Sequence, residues 1–192
     1  MPRSGAEARR RLRQAALELY LERGFEATTA AEIAARAGVN ERTFFRHFPD
    51  KREVLFDGEA DLRATLARAV VEAPEGLEPF EVLLHAFAEP AGNLEANRPF
   101  SEPRWEVIAA TPALRERELA KHAALVETVA EALRQRGVDA GSADLAARTG
   151  WAAYLHAVHV WIDDPARSLS VHLQQAFDDL RVLAMAGSPA RA

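Results

Sequence analysis

Apolar residues recur at i, i+3, i+4 and i+7 along almost the whole chain, and no segment keeps a clear period-two alternation. That spacing lines one face of an α-helix, whereas a half-buried strand needs alternation. Ala, Leu, Glu and Arg dominate, and all four favour helix. The expectation is an all-α protein of about nine helices. They fall at about 6–23, 28–38, 41–47, 50–71, 78–96, 103–110, 112–136, 143–162 and 166–186. Start signals are the capping-box patterns Thr29-x-x-Glu32 and Asp50-x-x-Glu53, the N-cap Asn40, and Pro103, Thr111-Pro112, Ser142 and Asp164-Pro165. Gly24, Gly38, Pro74 and Gly76 supply stops.

Composition narrows the class. With 192 residues, 48% of them hydrophobic, the chain can bury a substantial core. It has no cysteine, which rules out disulfides and thiolate metal sites and suits a reducing cytoplasm. The opening segment breaks its apolar stretches with charges every few residues, so it reads neither as a signal peptide nor as a membrane span. A soluble cytoplasmic protein with no membrane partner is expected.

The net charge of −5 argues at first against a nucleic-acid partner. Its distribution argues the other way. Residues 1–52 hold 11 Lys and Arg against 7 Asp and Glu, an excess of four positive charges, which leaves an excess of nine negative charges on the other 140 residues. The basic end is the one placed to face an anion.

The stretch from Thr28 to Phe48, T-T-A-A-E-I-A-A-R-A-G-V-N-E-R-T-F-F-R-H-F, carries the most information. Ala34 is small where two short helices must cross closely. Gly38, four residues on, can take the positive φ of a tight turn, and Val39 and Phe44 supply apolar contacts that fix the angle between the helices. Leu12, Ala16, Leu19 and Tyr20 give the first helix an apolar face to pack behind this pair. The result is a three-helix helix-turn-helix head in front of a C-terminal helical bundle, with domains at 1–52 and 53–187 and a short tail at 188–192.

In that geometry the third helix is free to enter a major groove, where base edges can be read. Arg42 is the candidate for bidentate contact with guanine, Glu41 for accepting from cytosine, and Thr43 for a thymine methyl or a phosphate. Thr28 and Thr29 at one helix N-terminus, His47 at the end of the third helix and Lys51 at the next N-terminus are candidates for phosphate contacts that set register. The arginines at 9, 10, 11 and 13 read equally well as a solvated face.

From Gly24 to Leu55 the sequence, G-F-E-A-T-T-A-A-E-I-A-A-R-A-G-V-N-E-R-T-F-F-R-H-F-P-D-K-R-E-V-L, resembles the head of TetR-family regulators. Two positions depart from the family pattern. Asn40 stands where Ser is usual, which keeps the capping chemistry; Phe45 stands where Tyr is usual, which removes a hydroxyl that reaches phosphate in the family, leaving Phe45 to pack against sugar. The stretch Thr111 to His122, T-P-A-L-R-E-R-E-L-A-K-H, is similar to the body of a subgroup that includes mycofactocin-gene regulators, some of them responsive to acyl-CoA thioesters. The resemblance implies a repressor acting as a homodimer on a palindromic DNA operator and released by a small-molecule effector. It also implies pairing through a four-helix bundle built from the last two long helices.

Periodicity offers residues for that pairing. Trp151, Tyr154, Val158 and Trp161 form one stripe, and Leu169, Leu173, Ala176, Leu180 and Leu183 another. The alternative is that both stripes are simply the core of a monomer. For an effector pocket, Phe80, Phe87, Phe100, Trp105 and Trp151 are candidate walls, with His85, Arg104 and His122 as polar anchors. Arg104, Arg115, Arg117 and Lys121 are candidates for the phosphates of an acyl-CoA, or for solvated charges.

An enzyme is not expected. The chain has no phosphate-cradling glycine loop, no thiol and no G-x-S-x-G elbow. His156 and His159 with Asp163 have a spacing that could hold a metal, but the Trp and Tyr stripe around them favours packing, so no metal and no cofactor are expected. The competing reading is an all-helical protein-interaction module that does not bind DNA.

Overall fold

The computed structural model describes residues 3–186; the expected tail at 188–192 lies outside them. Among the described residues the chain is all-helical. Its elements are α1 (Arg3–Arg23), α2 (Ala30–Arg36), α3 (Glu41–His47), a 3-10 turn (Glu53–Phe56), α4 (Glu59–Val71), α5 (Pro79–Ala88), α6 (Ala91–Ala96), α7 (Arg98–Ala110), α8 (Pro112–Gln135), α9 (Ala140–Asp163) and α10 (Leu169–Ala186).

Three expectations need correction. The helix expected over 50–71 is instead the 3-10 turn followed by α4, because Asp50 accepts from the backbone N–H groups of Arg52 (2.7 Å) and Glu53 (3.2 Å) without a reciprocal bond. Glu53 is held by Arg117, so the expected capping box is only half made. The helix expected over 78–96 is two, α5 and α6, since Pro90 has no N–H to carry the ladder onward. Pro103 lies inside α7, which begins at Arg98. Of the remaining starts, α9 is capped by Asp139, which accepts from Ser142 N–H at 3.1 Å, and α10 begins at Leu169, past the Asp164-Pro165 signal.

Packing divides the chain into two compact units. One takes in the residues up to Ala60 together with Asn97–Lys121; the other takes in Asp61–Ala96 and the chain from His122 onward. The first unit has a single apolar core. Leu12, Ala16, Leu19 and Tyr20 of α1, Ile33 and Ala34 of α2, Phe44 of α3 and Val54, Leu55 and Phe56 of the 3-10 turn pack with Val107, Ile108 and Leu114. The head is therefore not closed by its first three helices alone; α7 and the start of α8 complete its core.

In the second unit α9 packs along α10, and α5 packs on both. α5 comes close to α9 at Gly150, where an added Cβ would lie 2.6 Å from a Leu83 methyl. A glycine in mid-helix costs about 1 kcal/mol relative to alanine, and here it lets α5 and α9 touch. At the C-terminal end of α4, Arg136 donates to the carbonyls of Val71, Ala73 and Pro74 at 2.6–3.0 Å.

Candidate functional site

The α2–α3 pair is built almost entirely by local backbone chemistry. Thr29 caps α2: its Oγ1 accepts from Glu32 N–H at 3.2 Å, and the Glu32 carboxylate accepts from Thr29 N–H at 2.8 Å. Those bonds from Thr29 hold the Glu32 carboxyl below the usual range. The helix ends in a Schellman turn, with Val39 N–H on Ala34 O (2.9 Å), Gly38 N–H on Ala35 O (3.0 Å) and Gly38 at φ +67°. Asn40 then caps α3, accepting from Thr43 N–H at 2.8 Å. Phe44 turns inward, wholly buried, against Phe48 with ring centroids 5.9 Å apart.

The opposite face of α3 meets solvent. Glu41, Arg42, Phe45 and Arg46 are exposed, Thr43 is half-exposed, and Asn40, Arg42, Thr43, Phe45 and Arg46 line one shallow surface depression. Phe45 is 52% exposed, its ring edge-on to Phe44 at 5.3 Å. Most other head arginines are committed to acids: Arg9 to Asp57, Arg10 to Glu7, Arg23 to Glu32, Arg36 to Glu18 and Glu22, and Arg52 to Asp50. Among the described residues, no acid pairs with Arg42 or Arg46. Arg46 was not among the residues expected from sequence, although its place four residues after Arg42 puts it on the same helix face.

Three expected phosphate contacts fall elsewhere. Thr28 is fully buried, and its hydroxyl donates to Gly24 O at 2.9 Å, so in this arrangement it cannot meet a phosphate. Lys51 is a tie within the head: its Nζ donates to the carbonyls of Phe25 (2.8 Å) and Thr28 (2.9 Å) and sits 4.2 Å from the Phe25 ring centroid. Tyr20 Oη donates in turn to Lys51 O at 2.6 Å. His47 is half-buried with its Nε2 unpartnered; burial first, then Arg46 and Arg9, push its pKa down, leaving the ring neutral at pH 7. Thr29 stays exposed at the N-terminus of α2.

The effector candidates separate between the two units. Phe80, Phe87, His122 and Trp151 are brought together in the second, where Phe87 touches Trp151 (5.9 Å), Tyr154 (5.2 Å) and Phe177 (6.2 Å), His122 meets Trp151 (5.6 Å) and Phe80 meets Phe177 (6.3 Å). Phe100, Arg104 and Trp105 belong to the first. Phe100 lies under the Arg13 guanidinium at 4.6 Å, and Trp105 is half-buried on α7. Arg104 is not an open anchor: it is buried, with Nε donating to Leu55 O at 2.5 Å and Nη2 to Glu118 at 3.0 Å. Arg117 is committed to Glu53 (2.7 and 2.9 Å) and Glu59 (2.7 Å), and Lys121 to Glu118 (2.8 Å). These cations surround the Phe56 ring and are neutralised by acids, which leaves them unsuited to hold a phosphate as they stand.

The stripe expected to pair two protomers is core within one. Trp151, Tyr154, Val158, Trp161, Leu169, Leu173 and Ala176 are all buried inside the chain, and Leu180 is half-buried. Their periodicity records packing within the chain, where α9 lies along α10 and Trp151 and Tyr154 also meet Phe87 of α5. The large apolar residues left exposed on the described parts of these helices are Leu145 on α9 and Val171, Val182, Leu183 and Met185 on α10.

The comparisons with known proteins agree with this geometry. The family described as "Bacterial regulatory proteins, tetR family" matches residues 12–57, and the "MftR C-terminal domain" matches residues 77–183. The regulator TcmR of Streptomyces glaucescens is 37% identical over 79 residues, covering 41% of this chain and 35% of TcmR, and the chain's match spans little more than a third of each such curated relative. A crystal structure of FadR from Thermus thermophilus, a TetR-family repressor in complex with lauroyl-CoA, is 32% identical, covers 96% of this chain and 97% of that one, and superposes with a TM-score of 0.57. A regulator structure from Syntrophomonas wolfei, 17% identical, shares the fold at a TM-score of 0.69 over 97% of this chain and 99% of that one. With two family matches that together take in the helix-turn-helix and more than half of the remaining chain, the protein belongs to the TetR family of DNA-binding transcriptional regulators.

Proposed function

We propose that the protein is a repressor that binds a palindromic operator as a homodimer in the cytoplasm and is released by an apolar small molecule, with an acyl-CoA thioester as the leading class. In this reading residues 1–52 bind DNA and residues 53–187 sense ligand and dimerise. The observation that carries it is the outer face of α3, which presents the unpaired Arg42 and Arg46 on either side of Phe45 in a head whose other arginines are largely neutralised. The lauroyl-CoA bound by FadR of Thermus thermophilus supports the effector class, since that protein aligns with nearly the whole chain. Release follows if the effector prefers one arrangement of the body and α4, which begins in the first unit and runs on into the second, alters the spacing of the two heads.

DNA binding is tested by titrating duplex against salt. A dimer touching roughly 6–10 phosphates loses about three to five decades of affinity between 50 and 200 mM salt. A protein-interaction module shows no duplex affinity at any salt, and that result ends this reading. Within the interface, Arg42→Ala costs about 1–3 kcal/mol and relaxes base preference, while Arg46→Ala weakens all duplexes alike. For the dimer, the exposed Leu183, the last member of the expected α10 stripe, and its neighbour Val182 are the contact residues proposed, the rest of the stripe being buried or half-buried. The paired change Val182→Glu and Leu183→Glu turns the wild-type dimer into a monomer in sedimentation; an unchanged dimer moves the interface elsewhere.

A further inference from the structure

Among the described residues, three buried side-chain polar atoms have no hydrogen-bond partner: Nε of Arg13, Nε2 of His47 and Nε1 of Trp151. The first two are in the head, where Arg13 still lies over Phe100 and 3.6 Å from Asp57, and His47 lies beside Arg46 and Arg9. Trp151 is different. The residue is 6% exposed, the single polar atom of its side chain is a donor that cannot accept, and its ring neighbours are Phe87, Tyr154 and His122. A buried donor left dry carries a desolvation penalty large enough that natural cores rarely keep one without a function.

The surroundings state what kind of acceptor fits. In the second unit His172 is the only buried polar or charged residue among those described, and its ring nitrogen is already 3.1 Å from Asp164 O. Among the described residues of this unit no lysine or arginine is buried to neutralise a carboxylate or phosphate, and an anion placed at Trp151 would lose its hydration without a guanidinium or ammonium to replace it. An uncharged carbonyl oxygen has no such penalty and supplies the one bond that is missing. The rings around it form a continuous apolar wall through Phe177 to Phe80, and the cluster reaches the surface where His122 and Phe80 are only half-buried.

We infer that the Trp151 indole N–H receives the carbonyl oxygen of an acyl thioester, whose chain packs among Phe87, Tyr154 and Phe177 while its charged portion stays at the surface. This rests on the small-molecule-effector reading above and adds the atom that selects an acyl group over a plain alkyl chain. The test uses the full chain and two probes that differ only in the carbonyl oxygen, lauroyl-CoA and the thioether S-dodecyl-CoA. Wild-type protein binds lauroyl-CoA about tenfold more tightly than the thioether, the worth of one neutral hydrogen bond. In Trp151→Phe that ratio falls to about one, with thioether affinity unchanged. In wild-type protein labelled with nitrogen-15, lauroyl-CoA moves the Trp151 indole proton resonance downfield and the thioether does not. Where Trp151→Phe fails to fold, the wild-type ratio and that resonance decide. Equal binding of both probes with an unmoved resonance overturns the assignment of Trp151 and leaves the effector class standing. Binding of neither probe overturns the acyl-thioester reading itself, and the assignment with it.

Discussion

In the first unit the apolar core is threaded with charged side chains that end on backbone carbonyls or on one another: Lys51 on the Phe25 and Thr28 carbonyls, Arg104 on Leu55 O and Glu118, Arg117 on Glu53 and Glu59. In the second, the centre is Phe87, Trp151, Tyr154 and Phe177 in ring-to-ring contact, and the comparable tie, Arg136 on the carbonyls after α4, sits toward the surface. The difference is one of directionality. Hydrogen bonds and ion pairs fix atoms in distance and angle, whereas apolar burial rewards area removed from water with little regard to orientation. A helix that must fit a DNA groove needs the first kind of support.

The largest effect should come from the aromatic centre. Phe87→Ala removes a fully buried ring that touches three others and should destabilise the protein by about 3–5 kcal/mol. The sharper readout is where the loss falls: hydrogen exchange should accelerate in α5, α9 and α10 far more than in α2 and α3. Equal acceleration in both units would erase the distinction between them.

Lys51→Met asks the converse question in the head. It leaves the Phe25 and Thr28 carbonyls without their donor and should cost about 1–3 kcal/mol in thermal or denaturant unfolding. Arg42→Ala, which removes no bond in the structure, should leave the melting temperature unchanged while it weakens DNA binding. A Lys51→Met protein as stable as wild type, yet weak on every duplex, would return Lys51 to the phosphate role expected from sequence.

Those two residues also mark how far the sequence could be read. The α2–α3 unit was legible because each of its devices, the Thr29–Glu32 box, the Gly38 turn and the Asn40 cap, is completed within a few residues of chain. Lys51 and Thr28 were not, because their partners are set by how α1 and the segment after it pack, and no local pattern announces that Lys51 lies 2.8 Å from Phe25 O. The Trp151, Tyr154, Val158 and Trp161 stripe shows the same limit in another form. Periodicity reported correctly that one face of α9 is buried, but it carries no information on whether the covering surface is α10 or a second chain. The entry of Val107, Ile108 and Leu114 into the head's core likewise depends on packing between parts of the chain about fifty residues or more apart. Gly150 was overlooked for a different reason: a glycine in mid-helix is itself a sign of close approach, and the Leu83 methyl is what approaches.

Gly150→Ala sharpens the comparison at smaller scale. The added methyl gains helix propensity but meets the Leu83 side chain at 2.6 Å, so α5 must move or Leu83 must change rotamer. A net loss of about 1–2 kcal/mol is expected, less than overpacking a rigid site would cost, because the struck atom is the end of a flexible chain. A loss well above this range would mean that the α5–α9 contact is as tightly fixed as the head.

The smallest effect should have the opposite sign. Lys121 is nearly buried beside Glu118, and burial first, then Arg104, push its pKa down to about 8. The unfolded chain, with an ordinary lysine near 10.4, then binds more protons than the folded one between about pH 8 and pH 10, so stability should rise with pH across that window and lack this contribution below it. Lys121→Met keeps the stem and removes the charge, while Glu118 retains Arg104 at 3.0 Å. Replacing a buried ion by an apolar group of similar volume is often neutral or stabilising, and a gain of about 1 kcal/mol is expected at pH 7, shrinking toward pH 10. Thermal melts of wild type and variant at pH 7, 8.5 and 10 measure both the gain and its closure. A loss at pH 7 would mean that the Lys121–Glu118 pair outweighs its own desolvation, and that the first unit depends on its ionic ties for stability as well as for geometry.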